Sequence, residues 1–233
     1  MRTIGLIGGM SWESTQTYYQ ELNREVRKRL GGVHSASCWL YSFDFAQIEA
    51  LQAAGEWEQA GELLADVAVK LERAGAEGLL LCTNTMHKLA AHIENAVNIP
   101  LLHIADATAQ AVKTAGYQHV GLLGTRFTME EAFYKDRLIN DYGLTVSVPD
   151  AAGRHIINRV IFDELVQGQV LPESQAAYVE QIHQLAEQGA EAVIFGCTEI
   201  GLLLSPAQSP LPVFDTTLIH TLSAVDFMLA EAD

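Results

Sequence analysis

Two short stretches carry residues suited to moving protons. Residues 81–88, LCTNTMHK, end an aliphatic run at Cys82 and continue with Thr83, Asn84 and Thr85. Residues 196–200, GCTEI, set Cys197 before Thr198 and Glu199. A thiol at the start of a helix is acidified by unpaired N–H groups and the helix dipole. The same N–H groups can hold a carboxylate. A small carboxylic acid held between two facing proton-transfer groups has what inversion of a stereocentre requires: one group removes the Cα proton and the other returns one to the opposite face. Cys197, after Gly196 and before two polar residues, is the thiol placed for that role. Cys38 and Cys82 read as small buried hydrophobes. Cys82 precedes Thr83 on a strand, so its side chain points to the other face.

These residues need elements to position them. Residues 2–8, 37–43, 77–82, 119–124, 144–149 and 191–196 read as strands, separated by longer helical stretches such as 13–30. The strand runs are continuously apolar, as parallel strands covered on both faces require. Their alternation with helices indicates an α/β fold. Ser11 is placed to cap the helix 13–30, and Gly31-Gly32 to end it.

The chain also resembles itself. LERAGAEGLLLCTNT (71–85) matches LAEQGAEAVIFGCTE (185–199) at an offset of 114 residues. GLIGG (5–9) matches GLLGT (121–125) at 116, and IPLLHI (99–104) matches LPVFDT (211–216) at 112. Three ordered matches at nearly constant offset point to a duplicated unit. The implied domains are 1–98 with 212–233, and 99–211. Thr83 is then the counterpart of Cys197. Ligands of open α/β sheets bind outside the carboxyl ends of strands, so facing halves would set Thr83 and Cys197 on opposite sides of one cleft.

Composition narrows the classes. The chain has 233 residues and a net charge of −15, with only 14 Lys and Arg. A nucleic-acid partner needs clustered cations, which are lacking, and no apolar run approaches the roughly 20 residues of a membrane span. Three cysteines and no signal-peptide pattern fit a reducing, cytoplasmic setting. GLIGGM is not a dinucleotide fingerprint and the P-loop Lys-Ser/Thr is missing. The eight histidines show no metal-ligand spacing, and His103 reads as structural. The acidic run 56–66 reads as a solvated helix face.

With these residues assembled, the chain resembles the cofactor-independent aspartate/glutamate racemase family along its whole length. IGLIGGMSWEST (4–15) looks like the family's opening loop, CTNTMH (82–87) like its first catalytic motif and GCTEI (196–200) like its second, with Glu199 marking the aspartate-type branch. The resemblance implies two Rossmann-like parallel-sheet domains related by a pseudo-twofold axis, with the active site in the interdomain cleft. It further implies no pyridoxal phosphate, metal or nucleotide, a small acidic amino-acid substrate and a homodimer. Carried over by motif, Cys197 and Thr83 take the catalytic positions. Met10, Ser11, Gln52, Asn84, Thr85, Thr198 and Glu199 take the substrate-binding ones. Thr125 either lines the cleft or caps a helix, and His87 either supports the site from behind or faces solvent.

Two departures stand out. Thr83 occupies the place of the family's first catalytic cysteine, and a hydroxyl is a far weaker acid than a thiol. Glu164 stands where some aspartate-specific members carry a lysine. The expected activity is interconversion of L- and D-aspartate or glutamate, slowed and enantiomer-biased by Thr83. The alternatives are a one-thiol dicarboxylate decarboxylase or isomerase, and an amino-acid-binding sensor without turnover.

Overall fold

The apolar runs become eight short parallel strands in a computed structural model that describes residues 1–230. β1 (Ile4–Gly8), β2 (Cys38–Ser42), β3 (Gly78–Leu81) and β4 (Leu101–Leu102) form one sheet, ordered β2-β1-β3-β4. β5 (His119–Gly124), β6 (Thr145–Ser147), β7 (Ala192–Gly196) and β8 (Val213–Asp215) form the other, ordered β6-β5-β7-β8. Every pairing is parallel. The two orders are the same walk through the sheet, as a duplicated unit requires. The three sequence matches fall on β1 and β5, β3 and β7, and β4 and β8.

Strand periodicity explains why the inner strands are apolar throughout. Successive side chains point to opposite faces, and here both faces are covered. In β3, Leu79 and Leu81 enter the cluster that includes Leu64 and Ile93, while Leu80 enters the one that includes Tyr18 and Leu22. In β7, Val193 and Phe195 face Tyr178 and Ile182, while Ala192 and Ile194 face Tyr134 and Leu138.

The chain divides into one unit of Met1–His103 with His220–Asp233 and another of Ile104–Ile219. β4 and β8 each complete the sheet of the preceding strands, so the crossovers come after them. The sequence boundaries at 98/99 and 211/212 fall before these strands. Among the described residues, no helix is long and apolar enough to cross a membrane.

Helix α1 (Trp12–Leu30) follows its sequence signals. Ser11 is the N-cap, its side chain accepting from Ser14 N at 3.3 Å. Glu13 lies in the first turn and Arg27, Lys28 and Arg29 in the last, complementing the helix dipole. Gly31, at φ 76°, ends the helix. Two further helices, α2 (Phe45–Ala54) and α3 (Trp57–Arg73), precede β3. The acidic run 56–66 lies on α3, whose inner face contributes Ala60, Leu64, Val67 and Leu71 to the core.

Candidate active site

Each unit presents a polar motif just past the carboxyl end of an inner strand. In the first unit, β1 leads into Gly9, Met10 and Ser11, and β3 into Cys82, Thr83 and Asn84. Pairing of Ile7 with Leu81, and donation from Cys82 N to Ile7 O at 2.9 Å, bring the two strand ends together. Gly9 is required here: its φ is +84°, and a Cβ would drive into the backbone N and O of Phe43. Its N–H donates to Thr15 Oγ1 at 2.8 Å, and that hydroxyl donates to Ser11 O at 2.8 Å, which fixes the opening loop on α1. Met10, Ser11, Gln52, Thr83, Asn84 and Thr85 are all buried. Gln52 reaches the Thr83–Met86 segment directly, its Nε2 donating to Met86 Sδ at 3.0 Å.

Behind Thr83 lies a cluster of histidines distant in sequence. His87 Nδ1 donates to the Thr83 carbonyl at 2.7 Å, so that nitrogen carries a hydrogen. His87 is buried, so it supports the motif from behind rather than facing solvent. Its ring meets His103 edge-on at 4.5 Å and His220 at 5.8 Å. His220 Nε2 donates to Leu102 O at 2.7 Å and its Nδ1 accepts from Tyr18 OH at 2.9 Å. Both nitrogens of His220 are thereby used. Burial pushes its pKa down to about 3, so the ring stays neutral.

Cys82 behaves as its position on the strand implied. It packs with Leu80, Tyr18 and Val225, and burial raises its thiol far above the usual range. Cys38 is half-buried and its thiol is also raised by burial.

In the second unit, Gly124 of β5 pairs with Gly196 of β7, which sets Thr125 beside Cys197. A Cβ on Gly196 would lie 2.8 Å from Leu122 Cδ1 and 3.0 Å from Leu123 O, so a small residue is needed where the strands close up before the motif. Thr125 caps the helix Arg126–Glu130, accepting from Thr128 N at 3.3 Å. Cys197 Sγ donates to Glu199 Oε2 at 2.9 Å, and Thr198 Oγ1 donates to the same oxygen at 2.8 Å. All three residues are buried.

The acidified thiol expected from the sequence is not what this environment produces. The Cys197 thiol lies well above its ordinary range, first through burial, then through the Glu199 charge and the hydrogen bond to it. The N–H groups of Glu199 and Thr198 pull the other way and are outweighed. The helix that follows, Ile200–Leu203, has only four residues and hence few aligned peptide dipoles. Cys197 therefore rests as a thiol with a carboxylate acceptor against it.

Sequence reading passed over Tyr178, on the helix Pro172–Glu187, which shares a core cluster with Cys197. Its hydroxyl donates to Ile157 O at 2.9 Å. Burial, then the nearby Cys197 and the carboxylates of Glu164 and Glu199, hold its pKa well above the usual phenol value. No local motif marks it, because only packing brings it to the motif. Glu164 is held within its own unit, paired with Arg159 at 3.2 Å and accepting from Ser174 Oγ.

Two like-ordered parallel sheets, each delivering one such motif, make this the two-domain racemase fold. The pattern of the Asp/Glu/hydantoin racemase family matches residues 7–224, and the chain belongs to that family. A Yersinia pestis structure assigned to the Asp/Glu racemases is 51% identical, with a TM-score of 0.92 over 99% of this chain and 100% of that one. An aspartate racemase homologue from Pyrococcus horikoshii is 33% identical, with a TM-score of 0.84 over 98% and 99%. The broad specificity amino-acid racemase RacX of Bacillus subtilis is 27% identical over 97% of this chain and 98% of its own.

Proposed function

We propose that this protein is an isomerase that interconverts the enantiomers of aspartate or glutamate by transfer of the α-proton without a cofactor. Cys197 carries the proton on one side, and Thr83 stands at the second transfer position. The observation that carries this reading is their equivalence: each follows the third strand of a sheet with the same strand order, in a motif that is otherwise polar and buried.

The chemistry follows from the Cys197–Glu199 contact. The resting thiol is a ready proton donor to a carbanion at Cα. To act as a base it first passes its proton to the Glu199 carboxylate, 2.9 Å away. The thiolate then takes the Cα hydrogen: the C–H bond breaks, the S–H bond forms, and the electron pair stays on Cα, delocalised into the substrate carboxylate. The Thr83 hydroxyl gives its proton to the opposite face, its O–H bond breaking as the new C–H bond forms, and the proton held by Glu199 returns to Thr83 through solvent to reset the site. Asn84, Thr85 and Thr198 offer hydrogen bonds to the substrate's ammonium and carboxylate, with Met10, Ser11, Gln52 and Thr125 lining the approach. Likeness to a broad-specificity racemase makes neutral amino acids the proper comparison substrates.

Thr83 also favours a second reading. With one thiol, the site suits a dicarboxylate decarboxylase or isomerase in which Cys197 protonates a carbanion formed by another step. Deuterium incorporation at Cα in heavy water, started separately from L- and D-aspartate and L- and D-glutamate, decides between them. Exchange accompanied by inversion supports the racemase. Protonation of a decarboxylated product without α-exchange supports the second reading, and calorimetric binding with neither indicates a sensor.

A further inference from the structure

We propose that His87 is a positioning residue for the second proton transfer: its bond to the Thr83 carbonyl holds Thr83 where the hydroxyl serves inversion, and it has no part in the Cys197 step. The inference rests on the reading of Thr83 as the second transfer position.

The local backbone creates the need for His87. β3 ends at Leu81, and Thr83 N donates back to Leu81 O at 2.8 Å, so the chain turns sharply at Cys82. The segment Thr85–Leu89 that follows is a 3₁₀ turn. His87 N donates to Asn84 O at 3.1 Å, the three-residue span of that geometry. An α-helical turn would have sent the same N–H four residues back, to Thr83 O. The tighter turn passes that carbonyl over, and the imidazole of the same residue takes it at 2.7 Å. Thr83 is 8% exposed and His87 3%, so little water reaches a carbonyl that loses this donor. At the other end of the segment, Gln52 Nε2 holds Met86 Sδ at 3.0 Å. Neither bond uses the Thr83 hydroxyl.

The ring can fix Thr83 because it is itself fixed. Its centroid lies 4.5 Å from that of His103 and 5.8 Å from that of His220, with the planes inclined at 63° and 64°. His103 follows β4, and His220 lies on the helix Thr216–Leu229. They are the residues at which the chain leaves the first unit and returns to it. His220 is anchored in turn by Leu102 O at 2.7 Å and by Tyr18, which bonds it at 2.9 Å and meets its ring edge-on at 5.7 Å. A close-packed ring between two such neighbours cannot swing away without displacing them.

The consequence falls on one face of the substrate. A displacement of about 1 Å in a reacting group costs on the order of 10²-fold in rate. Cys197 belongs to the other motif, and its proton acceptor is Glu199. Loss of the His87 donor therefore separates two rates that a general loss of structure lowers together. Exchange of the α-proton needs Cys197, whereas net inversion needs Thr83 as well.

The test measures deuterium exchange at Cα and net inversion on the full chain, from the enantiomer of aspartate or glutamate that the wild type exchanges faster. Circular dichroism and thermal midpoints follow the fold. His87→Phe keeps a ring and removes the donor; its inversion should fall by about 10²-fold, with exchange within a few-fold of wild type. His87→Asn sets an amide N–H at the position of Nδ1 and should recover most of the inversion. His87→Leu, smaller than either ring, carries the same comparison if the phenyl ring impairs folding. A wild type that neither exchanges nor inverts removes the racemase reading itself. A wild type that inverts, with a donor-less variant whose exchange and inversion are unchanged or fall together, overturns the positioning role alone. So does a His87→Asn that inverts no better than the donor-less variant.

Discussion

Replacing Glu199 by Gln keeps the shape of the side chain and removes its charge, and the structure predicts opposite effects on reactivity and on turnover. In the wild type, one carboxylate oxygen accepts from both Cys197 Sγ and Thr198 Oγ1. Two of the three influences that raise the Cys197 thiol come from Glu199. With Gln, burial still raises it, the N–H groups of residues 198 and 199 still lower it, and the charge is gone. A hydrogen bond to a charged group contributes about 1.5–3 kcal/mol and a neutral one about 0.5–1.5, so the thiol form loses roughly 1–1.5 kcal/mol relative to the thiolate. That corresponds to about a tenfold larger thiolate fraction at fixed pH. Iodoacetamide should therefore alkylate Cys197 about ten times faster in Glu199→Gln, read by mass spectrometry of the Cys197 peptide at pH 8. Cys82 and Cys38 serve as internal controls, because neither thiol shift involves Glu199. Turnover should move the other way. With no carboxylate to take the thiol proton, α-proton exchange should fall by about 10²–10⁴-fold, the usual contribution of general acid–base catalysis. Slower alkylation would mean that the charge acts on the thiol with the opposite sign. Unchanged exchange would remove Glu199 as the proton acceptor.

Other expectations follow from the same geometry. Cys197→Ala should abolish α-proton exchange while circular dichroism and thermal midpoint show an intact fold; near-native exchange would discard the mechanism. Thr83→Cys should raise net inversion relative to deuterium exchange, most for the enantiomer the wild type handles poorly, and a rapid, symmetric wild type unaffected by the change would refute the weak second acid. His220 contributes to the acid sensitivity of the first unit. Burial lowers its folded pKa to about 3, below the ordinary value of 6.5, so the unfolded chain binds the extra proton. Its contribution is fully present above pH 6.5 and is lost as pH falls toward 3, a change of up to about 4–5 kcal/mol. Urea unfolding between pH 7 and 4 should show His220→Gln with a shallower pH slope, by close to one proton, and equal slopes would refute this.

Much of the fold can be read from the chain. The apolar runs gave six of the eight strands; the four inner ones, β1, β3, β5 and β7, are covered on both faces and leave no polar alternation to obscure them, while the edge strands β2 and β6 were apolar enough to be read without that cover. The repeat located the equivalence of Thr83 and Cys197 before any coordinates. Ser11 and Gly31 marked the ends of α1 because capping is local chemistry. β4 and β8, only two and three residues long, escaped being read as strands although both lay inside the repeated segments. A strand that short has no periodicity of its own and exists through its neighbour.

What tertiary structure alone decided is the environment of each functional group. The motif GCTEI named Cys197 and Glu199, but their hydrogen bond and the raised thiol depend on how far the site is buried and how short the following helix is. His87, His103 and His220 form one cluster although 133 positions separate the first from the last. Tyr178 reaches Cys197 from another helix, and β2 exposes Trp39, Leu40 and Tyr41 because the sheet ends there. Residue type and local spacing determine which elements form and which groups could react. Protonation, tautomer and exposure depend on the dielectric surroundings and the charges nearby, and those are set by residues far apart in the chain.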